Sequence, residues 1–324
     1  MKIKVIFTGG TIGSSLKDGF LASADAPLEL LKDCDCDFDI DEPYEILSEE
    51  LTSERLLILS KSVDSALEEA DAMIITHGTD TLSYSAAFLG YVFADCKKPI
   101  VLVSSAYPLS DERENGRENF KAAIDFSKLG IGGVYAVWHS NGVTNIHIGT
   151  RLLQQQAYSD ELESVGLSFG RVEDGKFVGK CADFERSAVP MLKEMVFSSA
   201  SLDGFGRVLD IPARPDLYYP ELDEKASAVL FESYHSGTMC VDENFNRFAK
   251  SAAALEIPIF VCGTSGREVE YETVKKYAET GAIPLSAASP AAMYVKLSLA
   301  CSFYKGTDEI KEFMQRPCGG DFFD

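Results

Sequence analysis

Three short segments of the sequence carry hydroxyl groups beside glycines or carboxylates, each where a buried strand is expected to end. The first, Thr8-Gly9-Gly10-Thr11-Ile12-Gly13, follows the apolar residues 3–7. Adjacent glycines let a backbone turn sharply and approach a ligand closely, so this segment is suited to present the Thr11 hydroxyl at the rim of a pocket. On this segment alone, a plain glycine turn is the competing interpretation.

The second segment, His77-Gly78-Thr79-Asp80-Thr81-Leu82, follows the apolar stretch 72–76. Its Asp80 carboxylate is suited to hold a substrate ammonium group, and Thr79 to act as a second nucleophile or to carry a proton. The competing interpretation is that Thr79 or Asp80 caps a helix predicted over 82–94. We interpret His77 as mostly structural.

The third segment, Ile46-Leu47-Ser48-Glu49-Glu50, follows a strand-like stretch at 43–47. Capping of a helix predicted over 52–68 is the competing interpretation here. Tyr234-His235-Ser236-Gly237-Thr238 is a weaker fourth candidate.

Two hydroxyl-bearing segments at strand ends of one sheet indicate a site more strongly than either does alone. In open parallel sheets, ligands bind outside the carboxyl ends of the strands. Nucleophilic hydroxyl chemistry needs an oxyanion hole, which the amides around Gly10–Thr11 and Gly78–Thr79 are placed to supply. We therefore predict that Thr11 and Thr79 face each other across one small-molecule cavity. The phosphate-binding fingerprints and the GxSxG nucleophile elbow are both missing from the sequence.

The first and second segments resemble the two signature loops of bacterial-type L-asparaginases, in the order and at the rough separation found in that family. The resemblance extends over residues 1–315. Further matches occur at 98–102, 107–110, 234–238, 281–284 and 291–297.

The resemblance implies a mechanism and a set of site residues. Thr11 is then the nucleophile that attacks a side-chain amide and releases ammonia, and Thr79 belongs to a Thr–Asp–Lys set that activates a hydroxyl or water. Asp80 holds the substrate ammonium group. Ser48, with Glu49 beside it, contacts the α-carboxylate and ammonium, and Gly10 and Gly78 line the substrate site.

Two positions depart from the family pattern. The catalytic lysine of the family lies in a Gly-x-Arg-x-x-Lys pattern, which here reads Gly149-Thr150-Arg151-Leu152-Leu153-Gln154. Counting back from Asp160 places Gln155 there instead, and a glutamine amide does not take up a proton near neutral pH. Phe20 stands where the family often has an assisting tyrosine.

These observations favour an amidohydrolase that acts on asparagine or a related amide. The alternative is a catalytically impaired homologue that binds an amino acid or related ligand without efficient turnover. The asparaginase-like component of a tRNA-dependent amidotransferase is disfavoured, because that protein carries an extra amino-terminal module and this chain starts at its first strand.

The elements around these segments predict an α/β fold. A larger N-terminal domain, 1–190, has a mostly parallel sheet flanked by helices plus a β-hairpin, and a linker at 191–206 leads to a smaller α/β domain at 207–324. We predict strands at 3–7, 72–76, 99–104, 133–138, 207–211, 228–232 and 257–262, and helices at 52–68, 82–94, 116–127, 242–254, 268–279, 290–302 and 307–315.

Composition limits the partners and the compartment. The chain has 324 residues and a net charge of −21, which disfavours nucleic acid and anionic lipid as partners. The sequence has no run of 18 apolar residues, so we predict no membrane span. The apolar stretch at the amino terminus is too short for the core of a signal peptide. Eight scattered cysteines favour a reduced, cytoplasmic protein. No metal or cofactor is indicated, and the resemblance implies a homodimer or homotetramer.

Overall fold

Two main sheets with helices packed on them organise the described part of the chain, which in this computed structural model is residues 1–17, 20–23, 28–32, 34–173, 175–179, 187–189, 191–263 and 271–323. Within these ranges the strands are β1 (Lys2–Phe7), β2 (Ser14–Lys17), β3 (Phe20–Ser23), β4 (Asp37–Asp41), β5 (Ala72–Thr76), β6 (Pro99–Val103), β7 (Gly133–Ser140), β8 (Val143–Ile148), β9 (Gly170–Glu173), β10 (Lys176–Gly179), β11 (Val208–Pro212), β12 (Ala228–Glu232), β13 (Ile259–Cys262) and β14 (Ile283–Pro284). The helices are α1 (Ser53–Glu69), α2 (Leu82–Val92), α3 (Gly116–Ser127), α4 (Leu192–Ser198), α5 (Glu243–Ala254), α6 (Glu272–Glu279), α7 (Pro290–Phe303) and α8 (Thr307–Gln315).

The larger sheet has the strand order β10-β9-β8-β7-β6-β5-β1-β4. Strands β4, β1, β5, β6 and β7 run parallel, and β8 to β10 continue the sheet in antiparallel pairs. β1 and β5 are neighbours, with Phe7 opposite Thr76. The chain segments that follow these two strands therefore leave the sheet side by side.

The central strands are apolar on both faces because helices cover both faces of the sheet. In β5, Met73 and Ile75 belong to the core cluster formed with α1 and α2, whereas Ile74 belongs to the cluster formed with α3. All three side chains are fully buried. This double coverage explains why the strand sequences show apolar runs instead of alternation.

The smaller sheet has the order β11-β12-β13-β14, with every pair parallel. Val229 and Phe231 pack on one face against α5 and α6. Leu230, on the other face, joins the same core cluster as α2 and α7. The two sheets are therefore connected by a continuous apolar core, and the predicted α/β class is confirmed.

The predicted division into domains at 1–190, 191–206 and 207–324 stays a prediction. Helix α4 lies inside the segment that we interpreted as a linker. No helix in the described ranges has both the length and the apolar character that crossing a bilayer requires.

The strand predicted at 43–47 is wrong, and the acidic residues before it form a strand instead. β4 pairs in parallel with β1, and residues 43–47 contribute one isolated bridge, between Ile46 and Gly9. The Asp39 carboxylate on β4 binds Lys4 Nζ at 3.0 Å. This ion pair explains how a segment rich in aspartate is accommodated at the sheet edge.

Candidate active site

The glycine-containing segments after β1 and β5 touch through their backbones. Gly10 has a φ of +79°, a conformation that residues with a Cβ rarely adopt. A Cβ placed on Gly10 would lie 2.3 Å from the nitrogen of Gly78, and one placed on Gly78 would lie 2.6 Å from Ser48 Oγ. Only glycine at positions 10 and 78 allows the three segments to approach this closely.

Hydrogen bonds attach the third segment to the other two. The Gly10 amide donates to the Ile46 carbonyl at 3.0 Å. Ser48 is 6% exposed, and its hydroxyl donates to Asp80 Oδ2 at 3.1 Å. In return, the Thr81 hydroxyl donates to the Ser48 carbonyl at 2.8 Å. The prediction that these segments come together in one place is therefore matched by the geometry.

Helix capping does not account for the polar residues of these segments. Helix α1 is capped by Thr52, whose side chain accepts a bond from the first turn. The N-cap position of α2 is Thr81, which makes no side-chain capping bond. The competing interpretation of Ser48, Thr79 and Asp80 as helix caps is therefore wrong.

Thr11 and Thr79 follow directly after the two glycines that touch. Thr11 begins a 3-10 turn, and both threonines are half-buried. Their backbones are consequently neighbours, and a shared cavity between their hydroxyls stays a prediction. Glu49 lies in the 3-10 turn that begins at Ser48 and is exposed, as expected for a side chain that meets ligand at a rim.

Gln154 reaches this site and Gln155 does not. Gln154 Nε2 lies 3.5 Å from the Asp80 carbonyl oxygen, and Gln154 Oε1 lies 3.5 Å from the Tyr84 hydroxyl. Gln155 instead donates to the Ser159 carbonyl at 2.9 Å. Of the two glutamines, Gln154 is the one whose side chain lies beside Asp80 and Tyr84, and its assignment to the family's lysine position stays a prediction.

Tyr84 is a neighbour of the site that the sequence analysis missed. Its side chain projects from α2 toward the second sheet, where burial and the carboxylates of Asp210 and Glu232 raise the pKa of Tyr84 to about 12. The phenol therefore keeps its proton at neutral pH and acts as a hydrogen-bond donor. Tyr84 lies in the first turn of α2, and its contact with Gln154, 70 residues along the chain, left no signal in the sequence.

Asp210 and Glu232 form a carboxyl pair on the neighbouring strands β11 and β12. Desolvation, together with the charge and hydrogen bond of Glu232, raises the pKa of Asp210 to about 7. Two neighbouring carboxylates cannot both ionise without mutual repulsion, so this pair holds a proton near neutral pH. The Asp210–Glu232 pair is therefore the acidic group that raises the pKa of Tyr84 from the side of the smaller sheet.

His77 has a structural environment, as the sequence analysis expected. Its Nδ1 lies 2.8 Å from the Gly78 carbonyl oxygen and its Nε2 lies 2.8 Å from the Ser85 hydroxyl. Burial lowers the pKa of His77, so the ring is neutral. The two ring nitrogens therefore connect the backbone of the second segment to the Ser85 side chain on α2.

The fourth candidate segment is a turn after β12. The Ser236 and Thr238 hydroxyls lie 2.8 Å apart, and Tyr277 donates to the Gly237 carbonyl at 3.1 Å.

Among the residues that the structure describes, no group of three or more His, Cys, Asp or Glu side chains is arranged to hold a metal ion.

Comparisons with known proteins show what this chain is similar to. Residues 2–168 match the family model described as Asparaginase, N-terminal. Over 337 aligned residues the chain is 27% identical to the L-asparaginase of Thermococcus kodakarensis, with 99% of each protein covered. It is also 32% identical over 187 residues to a glutamyl-tRNA(Gln) amidotransferase component from Archaeoglobus fulgidus, covering 53% of this chain and 44% of that protein.

Solved structures show the same fold. The thermostable L-asparaginase from Thermococcus kodakarensis superimposes with a TM-score of 0.79 at 20% identity, covering 100% of both chains. The probable cytoplasmic L-asparaginase from Campylobacter jejuni gives a TM-score of 0.72 at 19% identity, covering 98% of this chain and 99% of the other.

Proposed function

Because the chain belongs to the asparaginase family, we propose that it hydrolyses the side-chain amide of L-asparagine or a related amide to the acid and ammonia. The observation that carries the proposal is the contact between Gly10 and Gly78, joined by the hydrogen bond from Ser48 to Asp80. This contact makes the backbones that carry Thr11 and Thr79 neighbours, which supports the proposal that the two threonines act on one substrate.

Each residue has a role in the proposed reaction. The Thr11 hydroxyl oxygen attacks the amide carbon, the carbon–nitrogen bond breaks, and the hydroxyl proton leaves with the nitrogen as ammonia. Water then attacks the resulting ester, which releases the acid and restores the Thr11 hydroxyl. Asp80 holds the substrate ammonium group, and Ser48 and Glu49 contact the α-carboxylate and the ammonium group of the substrate.

The oxyanion of the tetrahedral intermediate needs fixed donors. The Gly10 amide is already used, since it donates to the Ile46 carbonyl. This leaves the amides of Thr11, Gly78 and Thr79 as the proposed donors, a narrower set than the sequence indicated.

Ammonia release tests the proposal. We expect turnover of asparagine, glutamine or a small amide that falls to background in Thr11→Ala. Thr307→Ala, at the remote start of α8, serves as the matched control and should keep full activity. Turnover that survives Thr11→Ala would remove Thr11 as the nucleophile.

A second candidate function is ligand binding without efficient turnover, and Gln154 is the observation that favours it. The Gln154 amide lies 3.5 Å from the Asp80 carbonyl at a position where a proton acceptor is expected. Under this proposal, an amino acid such as L-aspartate raises the melting temperature of the protein and is not consumed. A melting temperature unchanged by any amino acid tested would contradict it.

A further inference from the structure

The segment after α8 folds back against α2 and α7 as a strap, which we define as residues 317–323 and which is buried at 318–321. Cys318 and Asp321 are completely buried. Gly319 and Gly320 have φ values of +61° and +76°, and a Cβ on Gly319 would lie 2.6 Å from the Gly90 carbonyl oxygen of α2. The strap is therefore packed against α2 as closely as a backbone can be.

A buried ion pair fixes the turn of the strap. Lys296 on α7 and Asp321 have no exposed side-chain surface, and Lys296 Nζ lies 2.7 Å from Asp321 Oδ2. The amides of Cys318 and Phe322 each donate to Asp321 Oδ1 at 3.0 Å. The Tyr91 hydroxyl of α2 lies 3.4 Å from Oδ2. The Asp321 carboxylate thus binds side chains of α2 and α7 through one oxygen and two backbone amides of the strap through the other. The position of Asp321 therefore fixes the conformation of the strap.

The carbonyls of the strap bind the residues that precede Gln154. Arg151 is 8% exposed, and it donates from Nε to the Gly320 carbonyl at 2.7 Å and from Nη2 to the Phe322 carbonyl at 2.8 Å. The Thr150 hydroxyl donates to the Gly319 carbonyl at 2.8 Å. A planar guanidinium with two donors in a fixed fork sets direction as well as distance.

Two further hydrogen bonds hold the residues between Arg151 and Gln154 in place. The Ser289 hydroxyl, at the start of α7, donates to the Leu152 carbonyl at 2.7 Å. The Leu153 amide donates to the Glu163 carbonyl at 2.9 Å. The next residue, Gln154, is the one whose side chain reaches Asp80.

We propose that Arg151 and Asp321 are positioning residues for the candidate active site, because the strap that Asp321 holds sets, through Arg151, where Gln154 meets Asp80. The consequence for turnover rests on the proposed function, whereas the consequence for the order of residues 152–156 does not. The arrangement extends the functional unit from the loops at the strand ends to a buried segment near residue 320.

The experiment is a double-mutant cycle that pairs Arg151→Lys with Gln154→Ala, and Arg247→Lys, on the exposed face of α5, is the control. Lysine keeps the charge and loses the fork. Because Arg151 acts through Gln154, we expect kcat/KM for the amide substrate to fall in Arg151→Lys by the same factor as in Gln154→Ala. The same change should have little further effect in the Gln154→Ala background. Equal losses in both backgrounds would show a general structural role and overturn the proposal.

Hydrogen exchange of the backbone amides in 152–156 provides a readout that is independent of turnover. We expect faster exchange there in Arg151→Lys while the central strands keep their protection. Unchanged exchange in this segment overturns the proposal even if the wild type proves inactive. Thr150→Val, which removes one donor to the strap and keeps the shape of the side chain, replaces Arg151→Lys if that variant fails to fold.

Discussion

The Gln154 amide lies between the Asp80 carbonyl and the Tyr84 hydroxyl, at 3.5 Å from each. Tyr84 keeps its proton at neutral pH because burial and two carboxylates raise its pKa, so it donates to Gln154 Oε1. The amide NH2 group then faces Asp80. At the scale of single residues, a neutral amide and a protonated phenol lie next to Asp80.

Replacing Gln154 with lysine is expected to restore the missing proton acceptor. Losing a proton-transfer group commonly lowers a rate by ~10²–10⁴, so Gln154→Lys should raise kcat for amide hydrolysis by roughly 100-fold or more. Steady-state ammonia release measures it. Gln155→Lys is the matched control, since Gln155 binds the Ser159 carbonyl and should give no gain.

Phe20, the first residue of β3, is the second position that departs from the family pattern, which often has a tyrosine there. Asp18 and Gly19, which precede it, lie outside the described residues. If Gln154→Lys and the double variant with Phe20→Tyr both stay inactive, the assignment of these two positions to the family's lysine and tyrosine is wrong.

At the scale of elements, the site depends on three chain segments that leave the larger sheet next to one another. β1 and β5 are adjacent and parallel, so their carboxyl ends carry the segments with Thr11 and Thr79 to one edge. The third segment joins through Ile46 and Ser48 instead of through a strand of its own. Glycine at positions 10 and 78 is what allows this close approach.

Gly10→Ala tests the importance of that approach. Gly142, in the turn between β7 and β8, has a similar φ of +76° but no atom within 4 Å of a Cβ placed on it. Gly142→Ala should therefore lower the free energy of unfolding only by the conformational cost of about 1–2 kcal/mol. Gly10→Ala bears that cost and a clash with Gly78, so urea unfolding should show a larger loss. Equal losses in the two variants would mean that the segments separate without cost.

At the scale of the whole molecule, the two sheets meet through α2 and α7 in one apolar core. Asp210 and Glu232 lie on two neighbouring strands of the smaller sheet, on the side where Tyr84 projects from α2. The chain as a whole carries a net charge of −21, so two ionised carboxylates side by side would add to the charge repulsion within the protein. Protonation of the Asp210–Glu232 pair lowers that repulsion. A homodimer or homotetramer stays a prediction.

The carboxyl pair predicts a pH dependence of stability. The folded-state pKa of Asp210, about 7, lies above the ordinary aspartate value of 3.8, so the folded state binds this proton more tightly than the unfolded state. The contribution of Asp210 therefore lowers the free energy of unfolding as the pH rises from about 4 to about 7. Asp210→Asn mimics the protonated form and should be more stable than the wild type at pH 8, with a smaller difference at pH 5.

Thermal or urea unfolding at the two pH values measures this effect. Asp216→Asn, in an exposed loop of the same half of the chain, removes one negative charge and controls for the net charge of the protein. Its stability difference from the wild type should not change between pH 5 and pH 8. An Asp210→Asn difference that is equally independent of pH would contradict a shared proton.

Much of this protein follows from its sequence alone. The apolar runs of β1, β5 and β6 and the glycine-containing segments that contain Thr11 and Thr79 are local patterns, because neighbours along the chain determine them. Tertiary structure decided the rest. The edge strand β4 depends on its parallel pairing with β1, and the approach of Gln154 to Asp80 depends on a strap about 170 residues further along the chain. Contacts between residues so far apart produce no periodic pattern in the sequence, because the interactions that stabilise them form only in the folded protein.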